Sequence, residues 1–305
     1  LDVSVQATIL DLLSELRREP LTCRVRFVLV ELAVGDAYGA GFEYADRAFV
    51  ARHNTLQSYV QHPTHSGILP GAYTDDTQMT LAIAELLVSS SSWTPSNLAS
   101  GFVDAFHRDP REGYAGRFYG FLQEVHTGPE FLARIKPDSD KSGAAMRAGP
   151  IGLLPSVAEV LHFADVQARV THNTLDGVAS AQAAALAVHY CHYNLGPVST
   201  VGSWIDSQLP VGGWAKTWRG KVGSKGRMSV TAALTALAGN TSIRDLLHAC
   251  VAFTGDVDTV ATVALAAAAR SAEYSQDLPS ALLADLEDGP FGRSYLAALN
   301  TRLIS

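Results

Sequence analysis

Two acidic clusters stand at the mouths of apolar helices in this 305-residue chain. The stretch GAYTDDTQMTLAIAELL (71–87) sets Asp75 and Asp76 side by side between Thr74 and Thr77. FTGDVDTVATVALAAAA (253–269) sets Asp256, Asp258 and Thr259 ahead of an alanine-rich run. A helix N-terminus carries partial positive charge and free N–H groups, so one acidic residue there stabilises it by up to ~1 kcal/mol. That accounts for one carboxylate per helix and leaves extras. A third segment, VGDAYGAGFEYADR (34–47), adds Asp36 and Glu43 in a glycine-punctuated turn.

If the two helix mouths meet in space, four aspartates converge. Clustered carboxylates either bind protons at raised pKa or recruit cations. Oxygen ligands without Cys or His at metal spacing favour Mg²⁺ or Mn²⁺ over zinc. Two divalent ions ~3.5–4 Å apart would neutralise such a cluster and activate a water. The second aspartate of TDDT is therefore read as a metal ligand. Capping plus a solvated charge explains either motif alone; the two together with Glu43 favour a shared site. DVDTV (256–260) also fits DxDx[TV], the nucleophile motif of haloacid-dehalogenase-like phosphatases. That motif opens its domain, and here fewer than ~50 residues follow, too few for the remaining βα units of ~30 residues each.

The elements that must position these residues read as helices. Ile9, Leu12, Leu13 and Leu16 follow 3–4 spacing, as do Met79, Ile83, Leu86 and Leu87. Alanine-rich runs recur at 179–190, 231–239 and 260–270, and alanine both favours helix and lets backbones approach closely. RVRFVLVELAV (24–34) is β-branched enough for a strand but has no partner strand of matching alternation, so a buried helix is expected. Long Gly/Pro/polar loops are expected at 53–73, 108–120, 136–152 and 194–227, and loops of that length are usually functional or mobile.

Composition bounds the rest. Hydrophobic residues make up 47% and charged residues 17%, with a net charge of −7, which argues against a nucleic-acid or anionic-membrane binder, since both need a positive field. No apolar run approaches the ~20 residues that span a bilayer. Cys23, Cys191 and Cys250 form no CxxC pair, so reduced, buried thiols in a cytoplasmic protein are expected. LDVSVQATILDLLSELRREP (1–20) is amphipathic and does not read as a secretory signal. WAKTWRGKVGSKGR (214–227) gathers Lys216, Arg219, Lys221, Lys225 and Arg227; it reads as a solvated loop, with an acidic partner or the edge of a modified target as the other readings.

GDAYGAGFE, YTDDTQMTLAIAE and TGDVDTVATVA resemble the three metal-site motifs of the ADP-ribosylglycohydrolases. DPREGYAG (109–116), SGAAMRAGPIG (142–152) and THNTLDGVASAQAAA (171–185) are similar to further motifs of that family, in the same order. The resemblance covers roughly residues 24 to 270. It implies an all-α fold, a single orthogonal helical domain over 1–305. Thr74, Asp75, Asp76, Asp256, Asp258 and Thr259 fall on the ligand positions of a binuclear Mg²⁺ or Mn²⁺ centre, and Glu43 on a mobile-loop glutamate that gates the site or assists catalysis. Glu43, Asp75, Asp76 and Asp258 would then be the catalytic carboxylates.

The loop DSDKSGAAMRAGP (138–150) falls where the family holds the diphosphate, which points to Ser139, Ser142, Gly143 and Met146 as substrate contacts. Serine at 142 departs from a frequent asparagine, and Ala115 departs from a glycine. His172 falls on a substrate-contacting histidine. Tyr114, with Phe118 and Tyr119, would line an adenine or ribose slot. Arg147 reads either as a phosphate partner or as the brace of a buried carboxylate. The implied activity is hydrolysis of the bond between ADP-ribose and an acceptor: an arginine or serine side chain of a protein, or a small metabolite. A non-catalytic ADP-ribose-binding module and a structural protein of the same fold are the alternatives. A structural relative would typically have lost metal ligands, and all six positions are filled here.

Overall fold

A computed structural model describes residues 27–304. The amphipathic pattern at 9–16, the reading of the first twenty residues and Cys23 lie outside the described residues. The helices are α1 (Val28–Ala40), α2 (Arg47–His53), α3 (Asp75–Val88), α4 (Pro95–Arg108) and α5 (Gly116–Glu124). They continue with α6 (Gly128–Arg134), α7 (Gly143–Met146), α8 (Val157–Arg169), α9 (Leu175–His192) and α10 (Val201–Gln208). The last five are α11 (Gly226–Gly239), α12 (Ile243–Ala252), α13 (Val257–Ala268), α14 (Ser280–Asp285) and α15 (Arg293–Ile304). Among the described residues there is no sheet, only isolated bridges between loops. The fold is all-α.

Helices α1 and α13 form its centre. Twelve residues of α1 and all twelve of α13 are buried; helices apolar on every side belong inside. The pair packs backbone to backbone through Gly35 and Gly39. A Cβ added to Gly35 would lie 2.9 Å from the Ala261 carbonyl carbon. The alanine-rich α9 is the third interior helix, with both its small residues and Leu186, Val188 and Tyr190 buried. RVRFVLVELAV is thus helical from Val28 onward, as its lack of a partner strand suggested.

Six helices are stopped from fraying by their own N-caps. Asp46, Thr94, Thr127, Ser156, Thr174 and Ser242 each accept a hydrogen bond from the backbone N–H three residues on.

The expected loop 53–73 is irregular after His53, but the other three contain helix. Helix α5 begins inside 108–120; α7 and a 3₁₀ turn at Gly149–Leu153 occupy 136–152; Val198–Thr200 and α10 occupy 194–227. These pieces are too short for apolar periodicity to register. Among the described residues no helix is long and apolar enough to cross a membrane, and Cys191 and Cys250 are free and buried.

Candidate active site

Helices α3 and α13 do not cap themselves. Thr74 and Asp256 occupy their N-cap positions, yet neither side chain accepts a backbone N–H of its own first turn. For α3 the cap comes from another helix. Asp36, fully buried on α1, accepts from Thr74 N (2.9 Å) and Thr74 Oγ1 (2.7 Å). It also accepts from Thr77 N (2.9 Å) and Thr77 Oγ1 (2.6 Å). With capping supplied by Asp36, Asp75 and Asp76 are free to point elsewhere. The sequence placed Asp36 in the acidic set without a role; its signal was a carboxylate in the middle of a largely apolar helix.

The freed carboxylates meet those of α13. Oxygens of Glu43, Asp256 and Asp258 all lie within 4.8 Å of one another. Asp76 and Asp258 are 3% and 5% exposed. Burial first, then Asp36, Asp75 and Asp256, hold Asp76 well above the usual carboxylate range. Burial, then Glu43, Asp76 and Asp256, do the same to Asp258. Asp75 is raised by burial, Asp36 and Glu43. Burial and then Asp256 push Glu43 up to about 8. Asp256 rises less, to about 6, because hydroxyls of Ser229, Ser142 and Thr259 offset its burial. Thr259 also hydrogen-bonds Asp76, so it ties the two helix mouths together.

Such a cluster is costly unless something positive shares it. Oδ2 of Asp76 is buried with no hydrogen-bond partner, a lone pair left for a ligand the protein itself does not supply. The surrounding donors are carboxylate and hydroxyl oxygens, the hard set that suits Mg²⁺ or Mn²⁺. The residues present therefore fit a divalent cation.

Loops from distant parts of the chain close around this cluster. Val222 N donates to Thr254 O (2.9 Å), and Asp256 N donates to Val222 O (3.2 Å). Gly255 adopts φ +94°, and a Cβ there would lie 1.8 Å from Val222 O, so only glycine fits. Ser142 N donates to Ser224 O (3.1 Å), Gly226 N to Asp140 O (3.1 Å), and Lys225 pairs with Asp140 at 2.7 Å. The backbone of 222–226 thus lies against the site, while Lys216, Arg219, Lys221 and Lys225 are exposed, as a solvated loop would have them. Ser229, at the start of α11, donates to Asp256 Oδ2 at 2.5 Å. Neither contact had a signal in the sequence.

Glu43 is held from both sides. Tyr44 N donates to Gly255 O (2.9 Å), and His62 Nε2 bonds Glu43 O at 2.7 Å. Because His62 Nδ1 accepts from Thr64 N and His65 N, its Nε2 must carry the proton. On the far side, Gly113 (φ +106°) lets the 109–115 loop approach Asp75: a Cβ would lie 2.5 Å from Asp75 Oδ1.

The residues expected to contact substrate surround this pocket at different depths. Ser142 and Gly143 are half-buried, and Ser139 Oγ accepts from Lys141 N (3.2 Å). Tyr114 is buried and donates to Gln78 Oε1 (2.6 Å). Phe118 and Tyr119 pack with Tyr114 and Phe106. Met146 is buried within the apolar core. His172 sits in the link between α8 and α9, two residues before the cap Thr174 rather than at the helix start, with its ring against Gly143. Arg147 braces no carboxylate. It bonds Gln167 and Thr171 and stacks 4.3 Å over Phe102, a neutral set.

Comparison with known proteins identifies relatives of this chain. The chain is 29% identical over 182 residues to an ADP-ribosylhydrolase, ARH3, of Mus musculus, covering 54% of this chain and 48% of that one. It is 29% identical over 144 residues to the ADP-ribosyl-[dinitrogen reductase] glycohydrolase of Rhodospirillum rubrum, covering 47% and 49%. The matched region spans about half the length of these curated relatives. A solved structure titled ADP-ribosylglycohydrolase-related protein complex has the same fold, with a TM-score of 0.70 over 91% of this chain and 95% of that one, at 23% identity. The model of the ADP-ribosylglycohydrolase family matches residues 17–305, and the chain belongs to that family.

Proposed function

We propose that this protein, acting as one unit over 1–305, hydrolyses the glycosidic bond between ADP-ribose and an acceptor. The observation that carries this reading is the buried cluster of Glu43, in the turn after α1, with Asp256 and Asp258 of α13, whose charges are felt by Asp75 and Asp76 of α3, and with Asp76 Oδ2 left unpartnered. Thr74, Asp75, Asp76, Asp256, Asp258 and Thr259 would hold two divalent cations, Mg²⁺ or Mn²⁺. When bound, such ions supply charge neutralisation and Lewis acidity towards the substrate's oxygens.

The chain's own residues do the rest. Asp75, Asp76 and Asp258 set a negative potential where positive charge develops on the ribose as the bond breaks. Glu43, beside Asp256 and Asp258, passes a proton from its carboxyl to the leaving acceptor atom and takes one back from the water that adds to the anomeric carbon. Ser139, Ser142 and Gly143 line the place for the diphosphate, Tyr114 and His172 orient the nucleoside part, and Met146 supports the loop from beneath. The acceptor is an arginine or serine side chain of a protein, or a small metabolite. Free buried Cys191 and Cys250 suit a reducing compartment such as the cytoplasm.

The test is a chromatographic assay offering ADP-ribosyl-arginine, ADP-ribosyl-serine and O-acetyl-ADP-ribose, each with and without divalent metal. Release of ADP-ribose from one of them, lost in EDTA and in Asp258→Ala, supports the reading. Turnover that survives EDTA, or cleavage of none of the three, overturns it.

A further inference from the structure

Arg147, Thr171 and His172 form a chain of hydrogen bonds in which one direction gives the Thr171 hydroxyl proton an acceptor. Arg147 is fully buried, and an arginine only donates. Its Nη2 lies 2.8 Å from Thr171 Oγ1, so that oxygen is an acceptor there. Thr171 is itself buried, and the hydroxyl has one proton of its own to place. The acceptor within reach of it is His172 Nδ1, at 2.7 Å. A ring nitrogen that accepts carries no proton, so the other nitrogen of the neutral ring must carry it.

That nitrogen is Nε2, and it faces Gly143. A Cβ on Gly143 would lie 3.0 Å from His172 Cε1 and 3.3 Å from Nε2. His172 is 7% exposed, yet among the described residues Nε2 has no partner, and it is not sealed off from solvent. A donor so enclosed and unused is aimed at something that arrives. Gly143 leaves the room for it, since any side chain there would stand against the ring.

We infer that Arg147 and Thr171 are positioning residues that hold His172 as a neutral Nε2–H donor, directed beside Gly143 at an oxygen acceptor of the bound ligand. This rests on the reading that loop 138–143 takes an ADP-ribosyl ligand. The charged neighbours are consistent with it: burial and then Arg147 pull His172 down to about 3, against the opposing pull of Asp140. Arg147, though lowered to about 9 by burial, keeps its charge at neutral pH.

The experiment is ¹⁵N NMR of the imidazole nitrogens in ¹⁵N-histidine-labelled protein, with His172→Gln used to assign the His172 signals among the ten histidines. The ligand-free wild type is expected to show a bare Nδ1 and a protonated Nε2. Thr171→Val should give a mixture of tautomers and bind ADP-ribose roughly tenfold more weakly, the scale of one lost hydrogen bond. Thr171→Ser should restore both. Adding ADP-ribose should shift the wild-type Nε2 signal. A wild-type ring protonated at Nδ1, or a Thr171→Val ring still wholly in the Nε2–H form, overturns the relay. Binding of ADP-ribose with the Nε2 signal unmoved overturns the aim of the donor. Absence of any ADP-ribose binding by wild type counts against the functional reading instead, and the ligand-free tautomer still decides the relay.

Discussion

Gly39 and Asp258 touch backbone to backbone: a Cβ on Gly39 would lie 2.4 Å from the Asp258 Cα and 2.7 Å from its N. The missing side chain at the end of α1 is therefore what lets α13 deliver its carboxylates to the cluster. Gly39→Ala sets two effects against each other. Alanine gains up to about 1 kcal/mol of helix propensity, while overpacking against backbone that cannot swing aside costs about 1–3 kcal/mol or more. The clash should win, with a lower melting temperature and loss of cation binding together. A variant as stable as wild type would show that the contact is not tight.

Asp36→Ala leaves the N–H and hydroxyl donors of Thr74 and Thr77 without their acceptor. Each buried unsatisfied group costs about 1–3 kcal/mol, and two backbone N–H groups cannot turn away, so a loss of about 2–4 kcal/mol is expected in urea unfolding. Asp36→Asn should cost far less. Its Oδ1 can still accept from Thr77 and from the Thr74 N–H, and its Nδ2 can donate to Thr74 Oγ1. Equal losses in the two variants would sink this account of the α3 cap.

In metal-free protein, stability should fall as pH rises from about 4.5 to about 8. Glu43 has an ordinary value of 4.5 and is pushed up to about 8 by burial and then Asp256; Asp256 goes from 3.8 to about 6. Between those limits the folded chain keeps protons that the unfolded chain has released, so the contribution is full below the lower limit and gone above the upper one. Melting temperatures measured in EDTA across this range check the sign. A curve that is flat or rises with pH contradicts it.

Divalent cation should reverse that loss. A ligand at a hundred times its Kd stabilises by about 2.7 kcal/mol, so Mg²⁺ or Mn²⁺ should raise the melting temperature by several degrees at about pH 8. Asp258→Asn keeps the acceptor for Thr259 N, now at 2.9 Å, while removing a charge from a crowded pocket. The metal-free variant should melt at or above the wild-type temperature and should not respond to the cation. A normal cation shift in this variant would remove Asp258 from the ligand set.

How much of this was legible depended on range along the chain. The acidic helix mouths, the alanine-rich interior helices and the buried character of α1 all follow from residues within a few turns of one another, where apolar periodicity and excess carboxylates speak directly. The short helices α7 and α10 read as loop in the sequence because a turn or two cannot display a period. The direction of the Arg147 side chain was open because its partners, Gln167 and Thr171, lie on the far side of a loop.

The order of residues is enough to put acidic and hydroxyl side chains at the starts of α3 and α13 and to make those helices apolar enough to be drawn inside. It takes the packed chain to bring Asp36 to the start of α3 as its cap, to set Ser229 and the 222–226 segment against the pocket, and to leave Asp76 with a bare oxygen. The reason is physical: local patterning sets each helix and its face, whereas a hydrogen bond between residues far apart in the chain exists only once close packing, here through Gly35 and Gly39, has chosen which faces meet.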